Sequence, residues 1–147
     1  MKSILVSLCL LLLIAGCGPS ESTQIKSELF SIGMLYHTFT SNTGGAPSST
    51  EALLDFVDSN GSQPGNKAKA EAMKKVLQSG DYTVYWGYDV TVDKARNEKT
   101  ILAFHKDTPN KGGLAAFADG TVQSMTADEF NDSAKADASL SEQPTQP

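Results

Sequence analysis

The chain has 147 residues, with 12 basic and 17 acidic side chains and a formal net charge of −5. This acidic balance argues against nucleic acid as a partner and against a polybasic lipid-binding surface. Both cysteines, Cys9 and Cys17, lie near the N-terminal end, so we expect a folded domain without a disulfide, stabilised by packing alone.

The N-terminal residues have the pattern of a lipoprotein signal peptide, which we assign to residues 1–16. Lys2 supplies the positive charge, residues 4–14 are apolar, and Ala15 and Gly16 are the small residues that a signal peptidase requires. The apolar run is shorter than the roughly 20 residues of a permanent membrane helix. The pattern therefore predicts an exported protein.

Cys17 completes the sequence "IAGC", which has the lipobox pattern of bacterial lipoproteins. Several acyl chains together anchor a protein stably, so we expect a lipid on Cys17 to hold the protein at the membrane. Residues 17–24 are then the lipidated cysteine and a tether. Gly18 rather than Asp follows the cysteine, which resembles an outer-membrane sorting signal and favours the periplasmic face of the outer membrane over the inner one.

The first predicted helix covers residues 24–41, where apolar residues recur at helical spacing. Its apolar positions are Ile25, Leu29, Ile32, Tyr36 and Phe39. The glycines and the proline of "GGAP" cannot continue it. We expect this helix to be the spine of a single domain over residues 25–134.

Two shorter helices are predicted next. The sequence "SSTE" places Ser48 and Glu51 at the spacing of a capping box and predicts a helix that begins at Ser48. The sequence "KAKAEAMKKVLQSG", from Lys67 to Gly80, is rich in strong helix formers and ends in a glycine. Its narrow apolar stripe consists of Ala70, Met73, Val76 and Leu77.

After Gly80 the composition changes to β-formers. Residues 82–92 alternate, and "TILAFH" at 100–105 predicts a second strand. The sequences "GLAAFA" and "TVQSM" predict two further strands joined at Asp119 and Gly120. We expect a β-hairpin with a type I′ turn, because Asp and Gly tolerate the positive φ that this turn requires.

The end of the domain is predicted from a second capping box. The sequence "TADE" at residues 126–129 predicts a last short helix to about residue 134. Residues 135–147 lack a hydrophobic pattern, so we expect a disordered tail. Together these elements predict an α+β fold, in which the N-terminal spine helix packs on a small antiparallel sheet, with short extra helices.

Few side chains suggest catalysis or metal binding. His37, His105 and Asp119 could form such a site, but their spacing matches no ligand motif. A general acid or base needs a partner and an enclosing pocket, whereas a hairpin tip exposes its carboxylate to water. We therefore expect no enzyme activity, no metal and no cofactor, with Asp119 and Gly120 as a structural turn.

An aromatic group offers a second candidate site. Tyr82, Tyr85 and Trp86 could form a platform for a glycan or a peptide. Alternation places Tyr82 and Trp86 on one face of the strand and Tyr85 on the other. A strand packed into the core does the same, so core packing is the preferred interpretation and ligand binding is the alternative.

Three segments occur in the order "IGMLYHTF", "GGAPSS" and "GGLAAFADGTV". They resemble the planctomycete pseudopilin-like family known as domain of unknown function 1559, and the segment from Tyr82 to Gly87 is similar to its small lipoprotein forms. The matching positions are Ile32, Gly33, His37 and Phe39, then Gly44 and Pro47, then Gly112, Gly113, Phe117 and residues 119–122. The resemblance implies a pseudopilin-like fold, and the family has no agreed catalytic residues to transfer.

The combined expectation is an exported, lipid-anchored envelope protein with a structural or protein-interaction role. Its expected partners are the membrane, through the lipid on Cys17, and other envelope proteins or a glycan. The alternative function is a glycan- or peptide-binding lipoprotein that uses the aromatic strand around Trp86.

Overall fold

A computed structural model describes residues 20–61 and 66–137 of the chain. The predicted signal peptide, the predicted lipidation site Cys17 and residues 138–147 of the predicted tail lie outside the described residues. Within the described ranges, no helix has the length and apolar character needed to cross a membrane.

The longest element is helix α1, Glu21–Thr43. Ser20 caps its N-terminus, because the Ser20 hydroxyl accepts a hydrogen bond from the Thr23 N–H at 3.3 Å. The helix ends at Gly44, whose φ of 75° lets its N–H donate to the Thr40 carbonyl at 2.9 Å. The predicted spine helix is confirmed, and it extends past both predicted ends because these caps satisfy its terminal backbone groups.

One face of α1 packs against the sheet. Leu29, Ile32 and Tyr36 on this face are fully buried. Leu29 and Ile32 form one apolar cluster with Ala103 and Ala116 of the sheet. Since burying a Leu or Ile side chain contributes about 1.5–3 kcal/mol, this cluster holds the helix on the sheet.

Two further helices follow, α2 at Thr50–Gly61 and α3 at Lys67–Gln78. The predicted start of α2 at Ser48 is wrong, because Ser49 supplies the cap: its hydroxyl accepts from the Ala52 N–H at 3.3 Å. The apolar stripe predicted on α3 packs beside the cluster between α1 and the sheet. The packed residues are Met73, Val76 and Leu77.

The described residues form one sheet of five strands. These are β1 Tyr82–Val84, β2 Thr100–His105, β3 Gly113–Phe117, β4 Val122–Met125 and β5 Ala134–Lys135. The strands β1 to β4 are antiparallel neighbours in chain order, whereas β5 pairs with β2 in parallel. The predicted α+β fold, with a spine helix on a small antiparallel sheet, is confirmed.

The strand predicted over residues 82–92 is wrong beyond Val84, where β1 ends. Gly87 has a φ of 79°, a conformation that L side chains rarely adopt, and the chain leaves the sheet there. Residues 85–99 form an irregular segment that contains the short helix α4, Lys94–Asn97. The sequence therefore alternates as far as residue 92, whereas strand β1 ends at Val84.

The face of the sheet opposite α1 is covered by residues from the C-terminal part of the chain. A short helix α5, Thr108–Lys111, links β2 to β3, and α6, Ala127–Asp132, follows β4. Phe130 of α6 packs edge to face on Phe104 of β2, with ring centroids 4.7 Å apart. The capping box predicted for α6 is confirmed at Thr126, so a local sequence signal fixes where this covering helix begins.

The ordered chain runs beyond the limits set from the sequence. Lys135 of β5 pairs with Ile101 of β2, and the Ala136 N–H donates to the Ile101 carbonyl at 2.8 Å. Ala136 is fully buried. The predicted start of the tail at residue 135 is therefore wrong, because backbone pairing orders a stretch that lacks a hydrophobic pattern. The predicted tether is likewise too long, since α1 begins at Glu21.

Tyr36 fixes the irregular segment to α1. Its hydroxyl donates to the Tyr88 carbonyl at 3.0 Å and accepts from the Tyr88 N–H at 3.1 Å. The Tyr88 hydroxyl donates to Asn97 Oδ1 at 2.9 Å, and Asn97 Nδ2 donates to the Val90 carbonyl at 2.6 Å. These residues are all buried, and a buried polar group that loses its partner costs about 1–3 kcal/mol. The network therefore determines the path of residues 85–99.

Replacing Tyr36 by Phe should destabilise the protein by about 2–4 kcal/mol, because the variant leaves the buried N–H and carbonyl of Tyr88 without their partner. Tyr85→Phe is the matched control, since Tyr85 packs on apolar neighbours, and it should change the free energy of unfolding by less than about 1 kcal/mol. Urea denaturation followed by circular dichroism measures both. Equal effects of the two substitutions would contradict the assigned role of the Tyr36 hydroxyl.

Stability should also fall in alkaline solution. Burial raises the pKa of Tyr36 and of Tyr88 above the ordinary tyrosine value. An unfolded tyrosine ionises near pH 10, so the contribution of the buried phenols is fully present below about pH 10 and is lost as the pH rises above it. The free energy of unfolding should be lower at about pH 11 than at about pH 8, and Tyr36→Phe should narrow that difference. A profile that stays flat across this range would argue against the buried phenols.

Candidate functional site

The aromatic residues of the predicted platform each pack against a different ring. Trp86 stacks on Tyr36 of α1 with centroids 6.4 Å apart and an interplanar angle of 15°. Tyr85 packs on Phe104 on the other face of the sheet, at 6.0 Å. The alternation predicted for this segment therefore holds, although the backbone is extended only to Val84.

Tyr82 connects β1 to the first half of α1. Its hydroxyl donates a short hydrogen bond to a carboxylate oxygen of Glu28, and Gln24 Nε2 donates to the other oxygen at 2.9 Å. Burial, together with the adjacent Glu28 carboxylate, raises the pKa of Tyr82. The phenol is thus held neutral as a hydrogen-bond donor, and its ring packs edge to face on His105 at 5.6 Å.

His37 contacts the hairpin between β3 and β4. Its Nε2 lies 2.9 Å from the Ala118 carbonyl, and since a carbonyl only accepts, Nε2 carries the hydrogen. A Cβ built on Gly120 would lie 3.8 Å from the same nitrogen. The imidazole therefore joins α1 to the hairpin and is half-buried there. The sequence singled out His37 and Gly120 separately, and the structure brings them together.

His105 lies at the opposite end of β2 from the hairpin. Ala118 in the hairpin donates its N–H to the carbonyl of Thr100, the first residue of β2, at 2.8 Å, whereas His105 is the last residue of that strand. His105 instead borders a groove of about 220 Å³ beside the first turns of α1. The predicted candidates His37, His105 and Asp119 thus do not converge, and the described part of the chain contains no cluster of three or more metal-ligating side chains.

Asp119 and Gly120 lie in the turn between β3 and β4. The Gly120 N–H donates to the Phe117 carbonyl at 3.0 Å, and Asp119 Oδ1 accepts from the Thr121 N–H at 2.9 Å. Gly120 has a φ of 88°, while Asp119 has a negative φ. The type I′ turn expected from the Asp-Gly pair is therefore wrong: the loop includes Ala118 and needs positive φ only at its glycine.

Two larger grooves border α1. One of about 290 Å³ lies between α1, α2 and α3 and has Leu35, Phe56 and Met73 among its lining residues. The other, of about 500 Å³, lies between the first half of α1 and the β3–β4 hairpin. Sequence reasoning missed both, because each depends on how separate elements pack: three consecutive helices in the first groove, and residues 23–30 with 120–122 in the second. The available signal was Phe30, an apolar residue outside the spacing of the buried face, which the structure leaves exposed at the edge of the second groove.

Gly120→Val should destabilise the fold by about 1–3 kcal/mol, because a β-branched residue resists positive φ. Gly120→Asn is the control: Asn tolerates this region better, and the only close neighbour of a new Cβ is His37 at 3.8 Å. Thermal denaturation should rank Gly above Asn above Val. An Asn variant as unstable as the Val variant would show that the cost is steric rather than conformational.

Asp119→Asn should be nearly silent in stability, because the amide Oδ1 still accepts from the Thr121 N–H. Asp119→Ala, which removes this acceptor, should cost about 1 kcal/mol. A large loss of function in Asp119→Asn with an unchanged melting temperature would overturn the assignment of Asp119 to a structural turn.

Comparisons with known protein families, with curated proteins and with solved structures found no match to this chain. The resemblance to the planctomycete pseudopilin-like family accordingly stays a prediction from the quoted residues.

Proposed function

We propose that this is an exported, lipid-anchored protein of the cell envelope, with a structural or protein-interaction role rather than catalysis. A lipid on Cys17 attaches it to the membrane, and the folded domain is presented at the periplasmic face, preferentially of the outer membrane. Its macromolecular partners are other envelope proteins. The pseudopilin-like family is the proposed relationship.

The short distance between the lipobox and the folded body carries this proposal. Cys17 is separated from α1 only by residues 18–20, since the helix begins at Glu21. An extended chain reaches at most about 14 Å between positions 17 and 21. A lipid on Cys17 would therefore keep the domain close against the bilayer, which favours contacts with neighbouring membrane-bound proteins over the capture of distant soluble ligands.

The polar contacts of two candidate site residues, His37 and Tyr82, support a structural role. His37 joins α1 to the hairpin through Ala118, and Tyr82 joins β1 to α1 through Glu28. Each of these groups makes a bond between separate elements of the fold. These structural hydrogen bonds explain the presence of His37 and Tyr82 without assigning either a catalytic role.

The alternative function, capture of a glycan or a peptide around Trp86, is less well supported. One face of the Trp86 indole packs on Tyr36, and the Tyr82 and Tyr85 rings pack on His105 and Phe104. A platform made of all three rings would need their faces turned together toward solvent. These three rings are instead divided among separate partners.

Replacing Cys17 by Ala should move the protein from the membrane fraction to the soluble fraction, because the thioether to lipid cannot form. Cys9→Ala is the matched control: it lies in the proposed signal peptide, and its removal should leave the membrane fraction unchanged. Cell fractionation followed by immunoblotting measures both variants. Membrane attachment of the Cys17→Ala protein at the wild-type level would contradict the proposal.

A further inference from the structure

Strand β4 lies at an edge of the sheet. Among the described residues it pairs with β3 alone. The Phe117 N–H donates to the Thr121 carbonyl at 2.8 Å, and the direction of backbone bonding alternates along an antiparallel pair. Thr121 and every second residue after it therefore bond toward β3. The backbone N–H and C=O groups of Val122 and Ser124 point the other way, out of the sheet.

This edge lacks the features that usually block the addition of a strand. Natural edge strands are commonly protected by a lysine, a proline or a bulge. The sequence of β4 is "VQSM", and its pairing with β3 is regular over all four residues. The described residues provide no hydrogen-bond partner for the outward backbone groups of Val122 and Ser124. Those groups match the backbone of a further extended chain.

A groove runs beside this edge, on the face of the sheet that carries α1. It has a volume of about 500 Å³ and is lined by Val122 and residues 120–121 on one side and by Phe30 on the other. The Val122 side chain packs against the cluster of Leu29 and Ile32, so it faces α1. Side chains directly opposite each other in a sheet share a face. A residue opposite Val122 in an added strand would therefore place its side chain in the groove, beside Phe30.

Strand β4 runs toward the N-terminal end of α1. Near the hairpin, a Cβ built on Gly33 would lie 4.0 Å from the Cα of Gly120. Toward the other end of β4, Ser124 pairs with Leu114, which borders a smaller groove together with Ile25 of α1. Successive positions of β4 that face α1 therefore meet successive turns of the helix in reverse order.

Lys26 gives one end of the groove a positive charge. It lines the groove one turn before Phe30, a rise of about 6 Å, and Ser124 lies about 7 Å along β4 from Val122. A residue opposite Ser124 in an added strand is thus at the height of Lys26. No described side chain forms an ion pair with Lys26. A carboxylate at that position would complement its charge.

We propose that β4 binds an extended peptide segment of a partner protein, which adds a strand antiparallel to β4 in the groove beside α1. Antiparallel pairing is the more stable arrangement per residue. In this direction the segment carries an acidic residue opposite Ser124 and, two positions later, an apolar residue opposite Val122. Backbone bonds to β4 supply affinity, and the contacts with Lys26 and Phe30 supply specificity. That the partner is an envelope protein rests on the proposed function.

The chain's own C-terminal residues do not supply this segment. Strands β3 and β5 pair with opposite edges of β2, so β5 lies four strand spacings, about 19 Å, from the added strand. Leu140, the one large apolar residue after β5, follows Asp137 by three residues and extends at most about 11 Å from it. Two positions before Leu140 the chain has Ala138 and no acidic residue, so the tail of a second copy lacks the pattern as well.

Peptide binding to the full-length protein, purified from membranes in mild detergent, tests the proposal. The probe is the fluorescein-labelled peptide Thr-Val-Glu-Thr-Leu-Thr-Val-Thr, in which Glu precedes Leu by two positions. Ser124→Pro removes an outward N–H, a change that an edge strand tolerates, and Ser124→Ala, which keeps the N–H, is the matched control. Fluorescence anisotropy should give equal affinities for the unsubstituted protein and Ser124→Ala, and about tenfold weaker binding to Ser124→Pro.

A charge reversal tests the same site with the backbone of β4 left intact, and it decides the matter if circular dichroism shows that Ser124→Pro is unfolded. Lys26→Glu should weaken binding of the probe about threefold. A peptide with Lys in place of Glu should bind Lys26→Glu better than it binds the unsubstituted protein. Lys67→Glu, at an exposed lysine of α3 outside the groove, is the matched control and should bind the probe normally.

Several results would overturn the proposal. These are no binding of the probe up to about 1 mM, a folded Ser124→Pro variant with the affinity of Ser124→Ala, or equal effects of Lys26→Glu and Lys67→Glu. A dimer that dissociates in Ser124→Pro would identify a second copy as the occupant. Tighter probe binding after deletion of residues 138–147 would identify the chain's own tail.

The peptide measurement and the anchoring experiment fail separately. Probe binding in detergent does not require a lipid on Cys17, so its loss would leave the membrane attachment of the protein unchanged. Conversely, a Cys17→Ala protein that stays in the membrane fraction would refute the anchor, while the ratio of affinities between Ser124→Ala and Ser124→Pro would still decide the binding mode.

Discussion

The two hydrogen bonds between the Tyr36 hydroxyl and the backbone of Tyr88 are the constraint on which the rest of the structure depends. They connect the long helix to a segment that follows neither helical nor strand geometry, and the Tyr88 hydroxyl extends the connection to Asn97. The Trp86 ring stacks on the Tyr36 ring. With residues 85–99 fixed in this way, β1 lies against one part of β2 and leaves the other part free to pair with β5.

Local signals in the sequence predicted the elements that local physics controls. The apolar spacing from Ile25 to Phe39 gave the position of α1, and the capping box at Thr126 gave the start of α6. The irregular segment could not be predicted, because its path depends on Tyr36, which is 52 residues from Tyr88 in the chain. The strand at Ala134 was missed for a similar reason, since its pairing with Thr100 leaves no periodic pattern.

The candidate site residues show the same contrast between local sequence signals and contacts between distant parts of the chain. The sequence offered His37, His105 and Asp119 as one candidate group, but it could not show that His37 bonds to Ala118 beside the Asp119–Gly120 turn. Once these contacts are known, the polar groups account for the way α1, the hairpin and β1 are joined.

The central claim is that the chain is held at the envelope by a lipid on Cys17, and the N-terminal peptide of the protein purified from native membranes tests it most directly. Mass spectrometry should find a peptide that begins at Cys17, with the mass of a diacylglyceryl thioether and without residues 1–16. A peptide that retains the leader, begins at another residue or carries a free thiol at position 17 would contradict the account.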